Sequence, residues 1–171
     1  LREAADSLAS IHFEEGLSVA VLEPSFIYDC FSSGRVDPTA LKMLMKMLYD
    51  RSAGDPDEAP RYLQLFGDGT FENRNLPRFG NELITFQSAQ SHTPTQSYVT
   101  DDYFGFLSDE ASERLTDTLL IGVGRIPASN LDEAWAAIRK VVAYSKGNPD
   151  PDGAGCLQGG LPGEGQGNPF G

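Results

Sequence analysis

The sequence has few cysteines, few histidines and few basic residues, and each shortage bears on function. Its 171 residues include two cysteines, Cys30 and Cys156, which are too few for a disulfide framework or a zinc site. We interpret them as unpaired thiols. There are 13 Lys and Arg against 25 Asp and Glu, which gives a net charge of −12. Because phosphate binding needs clustered cations, we expect no nucleic-acid partner.

Long apolar runs are also missing. None approaches the roughly 18 residues that a membrane span needs, so we expect no transmembrane segment in this sequence. The opening LREAADSLAS lacks the basic start and apolar stretch of a secretory signal. The 40% apolar content and the length suit one domain with a hydrophobic core.

Four stretches are predicted to be helical. LREAADSLASIHFEE has apolar residues at helical spacing before a glycine, and PSFIYDCFSSG is predicted to be a short helix or turn. VDPTALKMLMKMLYDRSAG begins with Asp37 as N-cap and Pro38 at the first helical position. NLDEAWAAIRKVVAYS follows a predicted capping box of Ser129 and Asp132. Its inner face is predicted to contain Leu131, Trp135, Ile138 and Val142.

Buried strands are predicted between these helices. They are LSVAVLE, RYLQLFGDG and DTLLIGVGRIP, with a short strand at ELITF inside a polar stretch. Alternation of helices with buried strands is typical of an α/β domain that has three layers and a mostly parallel sheet. Three main strands are few for a parallel sheet, so we expect the working protein to be longer.

A catalytic cysteine would need a base and a group that orients the base. His12 lies on the first predicted helix, and His92 lies in the polar stretch. Cys30 is in a short helix, away from the strand ends where α/β sheets place their sites, and Cys156 is in a glycine-rich tail. We therefore predict no Cys-His pair within this sequence.

Acidic residues concentrate between two of the predicted strands. Asp68 ends one strand, and the connection to the next contains Asp101, Asp102, Asp109 and Glu110. Parallel strands would bring these carboxylates to one edge, and oxygen ligands without histidine or thiolate suit Ca²⁺ rather than zinc. The other interpretation is a turn capped by Asp101 and Asp102, with the remaining acids solvated. From the residues alone the turn is the simpler interpretation, and both stay open.

Two glycine-containing segments suggest a minor alternative. FGDGT and FGNEL are similar to the Gly-Asp and Gly-Asn-His elements of metallophosphoesterases. A binuclear metal site needs several histidines, however, and His92 is the one nearby. A nucleotide-binding loop is not indicated either, because no predicted helix follows LFGDGTF.

Four segments, in this order, resemble the gingipain family of cysteine peptidases. They are EEGLSVAVLEPSFIYDCFSSGRVDPTALKMLMKMLYDR, RYLQLFGDGTFENRN, SYVTDDYFGFL and IGVGRIPASNLDEAWAAIRKVVAYS. Two shorter runs, SYVTDDYFG and GVGRIPA, resemble the sortase branch of this family, which serves the bacterial type IX secretion system. The resemblance extends from Leu1 to Ser145.

The resemblance implies a caspase-like α/β fold of two subdomains. Residues 1–146 would be the first, non-catalytic subdomain, and residues 147–171 a Gly/Pro-rich linker to the second. The family's catalytic histidine and cysteine lie in the second subdomain, beyond Gly171. The resemblance thus assigns no catalytic residue here, and the segment alone is expected to be inactive.

The resemblance also implies a structural calcium ion. Gingipains bind Ca²⁺ near the end of the first subdomain, and a set of five acids lies at comparable positions here. The set is Asp68, Asp101, Asp102, Asp109 and Glu110. Gingipains carry a further acid shortly before their Gly-Arg strand. The matching place is near Leu120, and Asp117 is the nearest carboxylate.

For the whole protein the resemblance implies a sortase reaction at the bacterial cell surface. A thiolate would attack the peptide bond before a cargo protein's C-terminal secretion signal, and the acyl group would pass to a lipopolysaccharide amine. Cargo proteins with that signal and other outer-membrane attachment components are the implied partners. The alternative is a non-catalytic, calcium-stabilised interaction module.

Overall fold

The computed structural model describes residues 1–72, 82–90, 92–109, 118–145 and 147. Within these ranges three α-helices are followed by short β-strands and a 3-10 helix, and a fourth α-helix comes after the last strand. In order they are α1 (Arg2–Glu14), α2 (Pro24–Ser32), α3 (Pro38–Arg51), β1 (Tyr62–Phe66), β2 (Asp68–Thr70), β3 (Glu82–Ile84), β4 (Phe86–Gln87), β5 (Val99–Thr100), a 3-10 helix (Asp102–Gly105), β6 (Gly122–Ile126) and α4 (Leu131–Ser145). The predicted linker, apart from residue 147, lies outside the described residues.

The helices begin and end close to their predicted positions. The Asp37 carboxylate accepts a hydrogen bond from the backbone N–H of Thr39 at 2.8 Å, so the predicted cap of α3 is confirmed. The predicted cap of α4 is wrong by one residue. Asn130 is the N-cap, because its amide accepts from the Glu133 N–H and donates to the Glu133 carboxylate.

The strands pair in three small sheets. β1 and β6 are parallel, with Tyr62 opposite Gly122 and Phe66 opposite Ile126. β2 and β3 are also parallel, and β4 and β5 are antiparallel. The prediction of a mostly parallel arrangement is therefore confirmed, although the described strands form two-stranded pieces rather than one wide sheet.

Helices cover both faces of the β1–β6 pair, which produces three layers. Leu65 packs in one cluster with residues of α2 and α3. Its neighbour Phe66 points to the opposite face and packs against α1 and α4. This alternation follows from the period of two in a strand. Trp135, Ile138 and Val142 line the inner face of α4 as predicted, but Leu131 is exposed.

One predicted strand is absent. Residues 17–23, LSVAVLE, belong to neither a helix nor a strand, although the apolar run predicted a buried strand. Val19 and Leu22 are 43% and 44% exposed. The physical reason is that a strand exists only with a hydrogen-bonded neighbour, and the described part of the chain provides none here.

Among the described residues, no helix combines the length and apolar character required to cross a bilayer.

Candidate functional site

The acidic stretch lies at the carboxyl edge of the β1–β6 pair. Because these strands are parallel, β1 and β6 both end at this edge. The backbone N–H of Gly67 donates to the Ile126 carbonyl at 2.9 Å, and Gly67 has φ of +145°, a conformation that favours glycine. The chain then continues as β2 and changes partner from β6 to β3. This edge is where open α/β sheets place their sites.

Arg125, the fourth residue of β6, is the central side chain of this edge. Its Nε and Nη2 donate to the two carboxylate oxygens of Asp101, at 2.7 and 2.8 Å. Its Nη1 donates to the backbone carbonyls of Gly67 and Asp68, and its Nη2 also donates to the carbonyl of Ile84. One guanidinium therefore connects the end of β1, the end of β3 and the acidic loop.

The Arg125–Asp101 pair is well shielded from solvent. The side chains are 12% and 21% exposed, respectively. A two-point pair between a guanidinium and a carboxylate is strong and geometrically specific. Because both charges have little access to water, removal of either partner would leave the other desolvated and unpaired, which would destabilise the fold.

The 3-10 helix that follows Asp101 is anchored by aromatic packing. The ring of Tyr103 stacks on Phe86 with centroids 4.0 Å apart, and the Lys42 ammonium lies 4.5 Å from the Tyr103 centroid. The hydroxyl groups of Tyr103 and Thr39 lie 3.3 Å apart. Phe104 is fully buried. These contacts hold the loop on α3 and on the strand edge.

Gly105 allows the loop to approach β6 closely. A Cβ at this position would lie 2.7 Å from a methyl carbon of Leu119, 3.1 Å from one of Val123 and 3.2 Å from the carbonyl oxygen of Ile121. The Gly105 carbonyl accepts a hydrogen bond from the Leu120 N–H at 3.0 Å. Glycine is thus required here by space.

Asp68 lies beside the start of α4. Its carboxylate accepts a hydrogen bond from the Ser129 hydroxyl, and the Ser129 backbone N–H donates to Glu133 at 2.8 Å. Asp68 therefore joins the beginning of β2 to the α4 cap. Its carbonyl, as described above, faces Arg125.

Asp109 is directed to a different partner. Its carboxylate lies 2.7 Å from the Lys46 ammonium, which also contacts Asp50 and the carbonyl of Leu107. The hydrogen bond with Lys46 lowers the pKa of Asp109, and the hydrogen bond with Asp109 raises the pKa of Lys46. This ion pair ties the end of the loop to α3.

The predicted calcium ligands are therefore not brought together as one set. Asp101 is paired with Arg125 and Asp109 with Lys46, while Asp102 is exposed and Glu110 lies outside the described residues. Within the described ranges, no group of three or more His, Cys, Asp and Glu side chains could hold a metal ion. The calcium site stays a prediction.

The histidines and the described cysteine take no part in this edge. The ring of His12 contacts Glu15 at 2.9 Å at the end of α1, and this hydrogen bond lowers the pKa of Glu15. Cys30 is an exposed, free thiol on α2. His92 lies in the β4–β5 connection, and Cys156 lies outside the described residues.

Arg125 itself was not among the predicted site residues. The available signal was a charged side chain inside the apolar run LLIGVGRIP. An arginine in a half-buried strand requires a carboxylate and carbonyl partners, which would have pointed to the nearby acids.

Comparison with known proteins identifies what this arrangement is similar to. The family model "Peptidase family C25" matches residues 1–157. The crystal structure of dimeric latent PorU from Porphyromonas gingivalis is 36% identical, with a TM-score of 0.72. The match covers 84% of this chain and 14% of that chain. None of the curated proteins gives a significant sequence match. The chain therefore belongs to peptidase family C25, the gingipain family of cysteine peptidases.

Proposed function

We propose that this chain is the scaffold subdomain of a cell-surface cysteine endopeptidase with sortase activity. The observation that carries the proposal is the PorU-like fold at 36% identity, which extends over 84% of the chain. The chain spans 14% of the length of that PorU chain. The proposed activity belongs to the whole protein, and the catalytic cysteine and histidine are proposed to lie beyond Gly171.

The proposed reaction has two steps. A thiolate attacks the carbonyl carbon before the C-terminal signal of a type IX cargo protein and forms a thioester, while the peptide bond breaks and the signal leaves as an amine that takes its proton from the catalytic histidine proposed to lie beyond Gly171. An amine of lipopolysaccharide then attacks the thioester, forms an amide and returns the thiol. The partners are cargo proteins and other surface components of the attachment complex.

The contribution of the described residues is to hold one edge of the fold rigid. Arg125 fixes the acidic loop through Asp101, and Lys46 fixes the end of the loop through Asp109. No Cys-His pair is formed among the described residues, since Cys30 lies exposed on α2 and His12 contacts Glu15. This supports a positioning role rather than a chemical one.

The experiment is a processing assay on the full-length protein. Its substrate is a reporter with a type IX C-terminal signal, with purified lipopolysaccharide present, and the control reporter lacks the signal. We expect thiol-inhibitor-sensitive loss of the signal and a mass increase from the attached lipopolysaccharide. Loss of the signal without attachment would contradict the sortase activity. No thiol-sensitive cleavage would contradict the peptidase and favour a non-catalytic module.

Calcium binding at the loop is a separate proposal, supported by the resemblance and by the acid content. A ligand that binds only the folded state raises the melting temperature. We expect the chain to melt at a higher temperature in calcium than in chelator, and Asp102→Asn to reduce this difference while leaving both ion pairs intact. Equal melting temperatures in calcium and chelator for the unsubstituted chain would contradict calcium binding.

A further inference from the structure

Tyr28, on the inner face of α2, is a buried titratable residue that takes no part in the hydrogen bonds of Arg125. It is 8% exposed. It packs in one cluster with Leu65 of β1, Ile84 of β3 and Phe104 of the 3-10 helix. The phenol ring is therefore enclosed by the elements that form the carboxyl edge of the β1–β6 pair.

The hydroxyl group of Tyr28 has no hydrogen-bond partner among the residues that the structure describes. Tyr103, a second phenol in the same cluster, differs because its hydroxyl lies 3.3 Å from that of Thr39. Buried tyrosine hydroxyls usually have a partner, and one without a partner requires an explanation. The Tyr28 oxygen is not fully enclosed, because every fully enclosed polar side-chain atom in the described chain has a partner. An acceptor atom can therefore reach it.

The charged residues that act on the phenol oxygen locate it at the carboxyl edge. Arg125, near the end of β6, and Asp37, the N-cap of α3, are both close enough for their charges to affect its ionisation. Helix α3 begins at this same edge, since Thr39 in its first turn contacts Tyr103 of the acidic loop. The hydroxyl therefore lies on the side of the fold where parallel α/β sheets bind ligands.

The ionisation of Tyr28 indicates which ligand group it can bind. Burial raises the pKa of Tyr28 to about 12, while Arg125 lowers it and Asp37 raises it. The phenol is thus neutral at physiological pH and can donate one hydrogen bond. An ionic ligand of either sign would meet a like charge nearby, on Arg125 or on Asp37. A neutral acceptor avoids this repulsion, and the backbone carbonyl is the neutral acceptor that every residue of a peptide offers.

Two other donors at this edge are already engaged. The Arg125 guanidinium donates to Asp101 and to three backbone carbonyls, and the Ser129 hydroxyl donates to Asp68. Of these three side chains, Tyr28 is the one whose hydrogen remains available to an incoming acceptor.

We propose that the Tyr28 hydroxyl binds the cargo polypeptide by donating a hydrogen bond to one of its backbone carbonyls at the carboxyl edge. This inference rests on the proposed function and adds to it a binding residue from the scaffold subdomain. Every residue has a backbone carbonyl, so the contact positions the cargo without selecting its side chains. Tyr28 transfers no proton in the reaction, because the neutral phenol keeps its hydrogen.

Binding measurements on the full-length protein test the proposal. The thiols are capped with methylthio groups, so that the signal-bearing reporter of the processing assay binds without being cleaved. We expect Tyr28→Phe to weaken reporter binding about three- to tenfold, the effect of one lost hydrogen bond. The melting temperature should stay unchanged, because the aromatic ring and its packing remain. Tyr49→Phe, which removes a hydroxyl near the other end of α3, is the control and should change neither value.

Unchanged reporter affinity in Tyr28→Phe would overturn the proposal, and so would failure of the unsubstituted protein to bind the reporter. A lower melting temperature with unchanged affinity would also overturn it and assign the hydroxyl to a contact inside the same polypeptide. If the reporter binds through Tyr28 but the uncapped protein does not process it, the proposed function fails and the contact stands.

Reporters that contain one ester bond identify the carbonyl. Replacing a peptide bond by an ester weakens that carbonyl as an acceptor while keeping the side chains. We expect one ester position to weaken binding to the unsubstituted protein and to have little further effect on Tyr28→Phe, because both changes remove the same hydrogen bond. Ester effects that are equal in the two proteins at every position would contradict a bond between Tyr28 and the cargo backbone.

Discussion

At the residue scale, one largely shielded cation, Arg125, connects several segments of the described chain. Arg125 donates to both oxygens of Asp101 and to the carbonyls of Gly67, Asp68 and Ile84. These acceptors belong to parts of the chain that are far apart in sequence. The acids of the SYVTDDYFG run are therefore unequal, because Asp101 completes an ion pair whereas Asp102, beside it, is exposed.

This inequality predicts different effects of two neighbouring substitutions. Asp101→Asn removes the charge that compensates Arg125, and we expect it to lower the free energy of unfolding by about 3 kcal/mol. Asp102→Asn is expected to change it by less than about 0.5 kcal/mol in calcium-free buffer, as for most exposed positions. Urea unfolding of the two variants and the unsubstituted chain measures both values. Similar losses for both variants would contradict the assignment of Asp101 to Arg125.

The Lys46–Asp109 pair predicts a dependence on pH. Lys46 holds the pKa of Asp109 below its ordinary value of 3.8, so the pair stabilises the fold above that pH and its contribution is lost as the pH falls through the lowered pKa. Asp109 raises the pKa of Lys46 above 10.5, so the contribution is also lost at still higher pH. We expect Asp109→Asn to be less stable than the unsubstituted chain at pH 7, and the difference in stability to shrink at acidic pH, below 3.8.

The pair is exposed on the aspartate side, so the effect is small and a control is needed. In the Lys46→Met background, Asp109→Asn should change stability equally at both pH values. A difference that persists at the acidic end, or that survives in this background, would show that Asp109 acts through another contact.

At the scale of elements, helix ends were predicted from neighbouring residues and the mostly parallel pairing was confirmed, whereas one predicted strand did not form. The N-cap of α3 could be predicted from the sequence because Asp37 and Pro38 act on adjacent backbone groups. The N-cap of α4 is Asn130 rather than the predicted Ser129, because the Asn130 side-chain amide both donates to and accepts from Glu133. The strand predicted at residues 17–23 did not form, because strand formation depends on a neighbour that is distant in sequence. The same limit applies to Arg125, whose partners come from three separate segments.

The 3-10 helix yields a prediction about its glycine. Gly105→Ala places a methyl group against Leu119, Val123 and the Ile121 carbonyl, and we expect a loss of about 1–3 kcal/mol from overpacking. Gly122→Ala is a matched control, since the nearest atom is on the ring of Tyr62, which is 70% exposed and can move. Thermal melts compare the two. A loss for Gly122→Ala as large as for Gly105→Ala would contradict a specific close approach at the loop.

At the scale of the whole molecule, the chain is an α/β layer structure whose ordered edge contains acids and an arginine but no described nucleophile paired with a base. The family was predicted from the order of four sequence segments, and the family match and the similar fold confirm that prediction. Where the carboxylates of the acidic loop point was harder to predict, because Asp101 and Asp109 pair with cations on β6 and α3, and calcium binding stays a prediction. Net charge, at −12, describes the surface and does not locate a ligand.

We propose above all that the described edge supports a cysteine nucleophile located elsewhere in the polypeptide. The most direct measurement is labelling of the full-length protein with a thiol-reactive peptide probe, followed by mass-spectrometric mapping of the modified residue. The account predicts that the most rapidly modified cysteine lies beyond Gly171, ahead of the exposed Cys30 thiol, with that labelling unchanged in the Cys30→Ala and Cys156→Ala double variant. Most rapid modification of Cys30 or Cys156, together with loss of that labelling in the variant, would contradict it.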